Sequence, residues 1–160
     1  MSDHDALPIS WRSATAADAA FGFSVYASTR AEELAAWGWG AAQQEIFLKM
    51  QFAAQAASYR AAFPGATYAI VLRDGQPAGT LIVNHAAEDI RLVDISLRPE
   101  HRGAGLGTAV IRQLQAEAHG SSRPLRLQVL KTSRAARLYL RLGFIATGGD
   151  EMRVEMVSRA

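Results

Sequence analysis

The sequence predicts an α/β (α+β) fold: one mixed central sheet of about six to seven strands, flanked by about four helices. Three observations carry that prediction. Short segments alternating apolar with polar residues recur along the chain, an Ala-, Glu-, Gln- and Leu-rich stretch fills much of the first half, and a glycine cluster is followed by an apolar repeat every four residues. The order reads strand, helices, three strands, helix, strand, helix, strands, the pattern of a mixed sheet with helices packed on it.

Ile9 to Ala14 opens as a short strand. Ala16 to Tyr59 has helical composition, broken at W-G-W-G (Trp37 to Gly40), where two glycines in four residues interrupt a helix, and closed by Pro64-Gly65. Thr67 to Arg73, then Asp74-Gly75, then Gln76 to His85 has the pattern of a hairpin, because Asp-Gly supplies the positive φ angles of a tight turn. From Arg91 to Leu97, Val93, Ile95 and Leu97 alternate with Asp94, Ser96 and Arg98, which predicts a strand with one apolar face. Leu106, Val110, Leu114 and Ala118 form one stripe of a helix ending at His119-Gly120. Leu125 to Leu130 alternates again as a strand, and Arg134 to Leu142 is helical until Gly143 stops it. Phe144 to Val157 holds two strands turning around Gly148-Gly149.

At 160 residues the chain is read as one domain over 1–160, with 1–8 as a flexible tail. Hydrophobic residues at 49% and charged residues at 20% suit a soluble globular chain. There is no cysteine, which removes disulfides and thiolate chemistry. The four histidines (His4, His85, His101, His119) lack metal-ligand spacing, so no metal is expected. The acidic start M-S-D-H-D-A-L-P does not read as a signal peptide, and no apolar run approaches the ~20 residues that span a bilayer; no membrane role and a cytoplasmic location are expected. Of the 17 basic residues only Lys49 and Lys131 are lysine. Arginine suits forked bonding to phosphate, but these residues are scattered rather than striped with aromatics, so no nucleic acid is expected.

The most informative stretch is R-P-E-H-R-G-A-G-L-G-T-A-V, Arg98 to Val110. Strand, glycine turn, helix is the arrangement in which bare N–H groups at a helix start hold an anion. Two familiar nucleotide loops do not fit. A G-x-G-x-x-G fingerprint needs glycine where Thr108 or Val110 stands, and a P-loop needs a Gly-Lys pair that is absent. Arg102-x-x-Gly105-x-Gly107 instead resembles the R/Q-x-x-G-x-G/A motif of the GNAT superfamily of N-acetyltransferases. Lys131 to Phe144 resembles that family's second segment, in which a helix ends in Leu-Tyr-x-x-x-Gly-Phe; here these are Leu138, Tyr139, Gly143 and Phe144. The likeness is specific from Val93 to Phe144 and looser before it. The chain departs from the family's usual residues at Ser133, where Asn is common, and at Arg134, where Pro is frequent. Serine can cap the helix as Asn would, whereas a cation at Arg134 opposes the helix dipole.

The resemblance implies a single GNAT-type domain that moves the acetyl group of acetyl-coenzyme A (acetyl-CoA) to a primary amine by direct attack in a ternary complex. The acceptor would be a small-molecule amine or a protein amino group; two carboxylates near the acceptor region would suit a cationic one, such as a polyamine, an aminoglycoside or a protein amino group. The alternative is a non-catalytic acyl-CoA-binding module of the same fold, and the chain would be a monomer or homodimer. In this resemblance Arg102, Gly103, Ala104, Gly105, Leu106, Gly107 and Thr108 cradle the diphosphate, the backbone at Ile95, Ser96 and Leu97 meets the oxyanion, and Ser133 and Tyr139 complete the cofactor site. Tyr139 is the expected acid toward the leaving thiolate, Asp94 the expected base, and Glu32 and Glu33 the expected acceptor-binding residues. Trp37 and Trp39 suit either the core or a wall of the acceptor pocket.

Overall fold

The computed structural model describes residues 8–159; the tail expected over 1–8 lies, apart from Pro8, outside them. Strands β1 (Ile9–Ser13), β2 (Thr67–Arg73), β3 (Gln76–His85), β4 (Ile90–Leu97), β5 (Leu125–Leu130), β6 (Ile145–Gly149) and β7 (Arg153–Ser158) form one seven-stranded sheet in the order β1-β2-β3-β4-β5-β7-β6. All neighbours are antiparallel except β4 and β5, which are parallel. The helices are α1 (Ala19–Ala36), α2 (Ala41–Ala62), α3 (Leu106–Gly120) and α4 (Ala135–Arg141). Among the described residues no helix is long and apolar enough to cross a membrane.

The predicted hairpin forms as expected, with Asp74 and Gly75 both at positive φ (51° and 77°), the geometry in which a two-residue turn matches strand twist. Pairing then fixes which residues share a face. Tyr68, Ile82 and Asp94 stand in line across β2, β3 and β4, as do Ile70, Thr80 and Ser96. This row lies under α1 and α2. Ala69, Leu81 and Ile95 take the opposite face, under α3.

On that second face the expected stripe of α3 is buried: Leu106, Val110, Leu114 and Ala118, joined by Ile111. They meet Val71, Leu81, Leu92, Leu125 and Leu127 in the main core. Each such side chain contributes roughly 1.5–3 kcal/mol of burial free energy, which makes this layer the rigid base for the strand ends above it.

Two local expectations are corrected. The alternation places Val93 with Ile95 and Leu97 on one apolar face, but the β3–β4 register shifts there: Ile82 pairs with Asp94 and Val83 with Leu92, leaving Val93 as the extra residue of a β-bulge. The bulge puts buried Ile90 and Leu92 on the same face as Ile95 and Leu97. In the last hairpin, Gly148-Gly149 is the end of β6 rather than the turn. The chain reverses at Asp150–Met152, where Asp150 Oδ1 accepts from the N–H groups of Met152 and Arg153, both at 2.8 Å.

Candidate active site

β4 and β5 pair only from Ile90 to Leu92 against Leu125 to Leu127. Beyond that point β5 continues with β7, and the outer edge of β4 from Val93 to Leu97 has no strand beside it. In an antiparallel pair, hydrogen-bonded positions alternate along each strand. Arg98 N–H donates to Ala78 C=O at 2.8 Å, so Ser96 and Asp94 also turn their backbone groups toward β3. Ile95 and Leu97 turn theirs outward into the gap. Of the three residues expected to meet an oxyanion, Ile95 and Leu97 thus turn their N–H groups into the gap, and Ser96 turns its own toward β3.

Gly79 allows this strand end to sit close to β3. A Cβ on it would collide with the Ser96 carbonyl oxygen and lie 2.8 Å from the Leu97 side chain.

The chain leaves β4 through a 3-10 turn (Pro99–His101) into the glycine loop. Gly103 and Gly105 have φ of 74° and 79°, conformations that a Cβ disfavours. Gly105 is the N-cap of α3 and offers no side chain to it. Among the described residues, the backbone N–H groups from Gly103 to Thr108 find no acceptor within the protein. Six donors in sequence stand at the positive end of a fifteen-residue helix, an arrangement in which backbone groups can hold an anion. Gly107 is different: it lies inside α3, and a Cβ there would touch Leu97 at 3.8 Å, an ordinary contact.

The Arg102 side chain bonds within the protein. Its Nε donates to Leu97 C=O at 3.0 Å and its Nη2 to Ser28 Oγ of α1 at 3.2 Å, so the side chain ties the loop to the end of β4 and to α1. Ser133 behaves as expected of a cap, its Oγ accepting from the Ala135 N–H at 3.1 Å at the start of α4. Arg134, Arg137 and Arg141 are exposed.

Asp94 is largely withdrawn from water on the α1/α2 face. Burial pushes its carboxyl up from 3.8 to about 6, although hydrogen bonds from Ser96 (3.2 Å to Oδ2) and Tyr59 oppose the rise. Tyr139 is 6% exposed, its ring 5.5 Å from that of Phe144. Burial, then the nearby Asp94 charge, pushes its phenol up to about 12. Against a thiol of pKa ~8.5, full transfer from a phenol so placed would be uphill by roughly 5 kcal/mol. It remains a hydrogen-bond donor.

A cavity of about 170 Å³ opens beside Asp94 between α1, α2 and the sheet, with Tyr26, Phe52, Tyr59 and Tyr68 among its walls. Sequence reasoning passed over these aromatics. Their spacing was the available signal: Phe52 and Tyr59 are two helical turns apart, but that pattern equally describes plain core packing. Glu32 and Glu33 are both exposed and do not line the cavity, and Glu33 is held by Arg30 at 2.7 Å. Trp37 and Trp39 line neither core nor cavity; with Phe47 they form an aromatic cluster where α1 turns into α2, with ring centres 5.2–5.7 Å apart. No cluster of His, Cys, Asp or Glu suited to a metal occurs among the described residues.

Among known structures, the fold is similar to that of the PaiA N-acetyltransferase of Thermoplasma acidophilum in complex with coenzyme A, at 14% identity over 96% of this chain and 100% of that one, with a TM-score of 0.67. An acetyltransferase of Thermus thermophilus aligns at 20% identity over 97% and 99% of the two chains, with a TM-score of 0.65. The ribosomal-protein-S18-alanine N-acetyltransferase of Escherichia coli aligns at 18% over 94% and 93%, with a TM-score of 0.59. At these identities the likeness is one of fold. No curated protein matches the sequence. The acetyltransferase (GNAT) domain profile matches residues 64–146, just over half of the chain, and this segment contains the opened β4 edge, the glycine cradle and Tyr139. The chain belongs to the GNAT acetyltransferase family.

Proposed function

We propose that the protein is an N-acetyltransferase, a single domain that moves the acetyl group of acetyl-CoA to a primary amine by direct attack while both are bound. The observation that carries this reading is one of juxtaposition. A buried carboxylate with raised basicity stands on the same short stretch of β4 whose outward N–H groups are free, and that stretch leads directly into a backbone anion cradle.

The residues present fit acetyl-CoA. Gly103 to Thr108 would hold the diphosphate through main-chain donors, with no side chain at Gly103 or Gly105 to bar its approach. When bound, acetyl-CoA supplies an acetyl thioester whose C–S bond breaks as the amine nitrogen bonds to the acetyl carbon, the electron pair leaving on sulfur. The N–H groups of Ile95 and Leu97 stabilise the negative charge that develops on oxygen, a contribution worth about 10² to 10³ in rate per donor in other enzymes. Asp94 accepts the proton lost by the amine nitrogen. Such an amine has a pKa near 10, so only about one molecule in a thousand is free base at pH 7, and a carboxylate at about 6 is ionised to receive the proton. Tyr139 keeps its proton and donates a hydrogen bond toward the leaving group. Ser133 holds the start of α4, which carries Tyr139. A pure acyl-CoA-binding module would have no use for a buried base beside this edge.

Calorimetry with acetyl-CoA, NAD and ATP, followed by thiol release over a panel of amines, tests the proposal. Selective binding of acetyl-CoA and amine-dependent thiol release are expected. Binding without thiol release for any amine would leave the module instead.

A further inference from the structure

The cavity beside Asp94 differs in chemistry from what a polycationic acceptor needs. It is walled mainly by aromatic rings and small residues, and two carboxylates reach it, Asp18 and Asp94. Asp18 is already spent: both its oxygens take Arg12 nitrogens at 2.9 Å, and Oδ2 also accepts from the Thr15 N–H at 2.8 Å. Asp94 is left as the one carboxylate of the cavity without a cationic partner among the described residues. Glu32 and Glu33, which would be needed for a second positive charge, lie outside it.

The aromatic walls suit one cation and an apolar body. Rings of Tyr26 and Phe52 stand 5.1 Å apart, centre to centre, and Phe52 packs on Phe23 at 5.8 Å. Such faces attract an ammonium group and shelter hydrocarbon. At about 170 Å³ the space is smaller than the ~300–1,000 Å³ usual for drug-sized ligands. Tyr68, also on the wall, has a buried hydroxyl with no hydrogen-bond partner among the described residues, and a buried phenol without a partner is uncommon.

We propose that the acceptor is a small monoamine with an apolar, preferably aromatic, body, its nitrogen at Asp94, its body against the wall of Tyr26, Phe52 and Tyr59, and a hydrogen-bond acceptor at its far end meeting Tyr68. This rests on the acetyltransferase reading above and replaces the preference, read from the sequence, for a polyamine, an aminoglycoside or a protein amino group.

The test uses the full chain with phenethylamine, 4-methoxyphenethylamine, spermidine, kanamycin and a lysine-containing peptide as probes. Thiol release with acetyl-CoA should give kcat/KM at least about tenfold higher for the two phenethylamines than for the other three, one lost cation–π and packing contact being worth about that factor. The methoxy compound should be preferred over its parent, and Tyr68→Phe should collapse that preference at least about threefold. Ala56→Trp, which fills the cavity, should remove calorimetric binding of phenethylamine while acetyl-CoA still binds. Equal or better turnover of spermidine, kanamycin or the peptide overturns the proposal, as does a methoxy preference untouched by Tyr68→Phe. If phenethylamine binds the chain alone but acetyl-CoA does not bind, the monoamine site stands and the acetyltransferase reading falls. If acetyl-CoA binds and only the larger amines react, the reverse holds.

Discussion

The Ser96 hydroxyl lies 3.2 Å from Asp94 Oδ2, two residues along one strand and on one face of it. This bond favours the carboxylate, yet burial outweighs it, and Asp94 settles at about 6 rather than 3.8. The consequence for activity is an acid limb. kcat/KM should fall as pH drops through about 6, Ser96→Ala should move that limb upward, and Asp94→Asn should abolish it while lowering turnover about 10²- to 10⁴-fold. A pH–rate profile of the three chains checks this.

The same shift bears on stability, with a definite sign. Folding raises the Asp94 pKa, so between 3.8 and about 6 the folded chain binds more protons than the unfolded one. Stability attributable to this group therefore falls as pH rises through that window, by about 3 kcal/mol in all. Asp94→Asn should escape the loss, and its midpoint in urea relative to the parent should rise between pH 4 and pH 7.

Tyr139→Phe should lower kcat about tenfold, the worth of one strong hydrogen bond, with acetyl-CoA affinity nearly unchanged. Because the phenol sits at about 12, the parent should show no basic limb from Tyr139 below pH 10. Full activity of the variant across the amine panel would remove Tyr139 from the reaction.

Gly105→Val forces a β-branched residue to φ 79° at the mouth of α3. Strain of about 1–3 kcal/mol in the cradle should weaken acetyl-CoA at least tenfold, while circular dichroism shows the fold retained. Unaltered affinity would show that the diphosphate does not use this bend.

Gly79→Ala drives a methyl into the Ser96 carbonyl oxygen, and a backbone oxygen inside a sheet has nowhere to go. A loss of about 1–3 kcal/mol in thermal or urea unfolding is expected, together with reduced kcat, because the edge that carries Ile95 and Leu97 must shift. Gly107→Ala serves as the mild comparison, since its methyl would make only an ordinary contact with Leu97.

Much of the architecture was legible in the residues themselves. β2, β3, β5 and α3 run as the alternation and the fourfold stripe indicate, because each has one face in the core and a strong turn or glycine at its border. The glycine turn before α3 was legible for a similar reason: it is local, and its positive φ angles belong to the backbone. The cavity beside Asp94 was not. Tyr26, Phe52, Tyr59 and Tyr68 come from three elements, and only the crossing of α1 and α2 over the sheet brings them together. That Glu32 and Glu33 lie outside the cavity was not legible either, because charge on a helix says nothing of the direction it faces. Arg102 carried the right motif, but the nearest acceptors for its guanidinium are Leu97 and Ser28.

One surplus residue decides on which side of the sheet Asp94 stands. Side chains of a strand swap sides with every step, so removing Val93 would restore an even ladder between β3 and β4. Either Ile90 and Leu92 would then be turned out of the core, or Asp94 would be driven beneath α3 and Ile95 into the aromatic chamber. In the second case a chain shortened at this point would set a hydrocarbon where Asp94 now stands, without a single substitution.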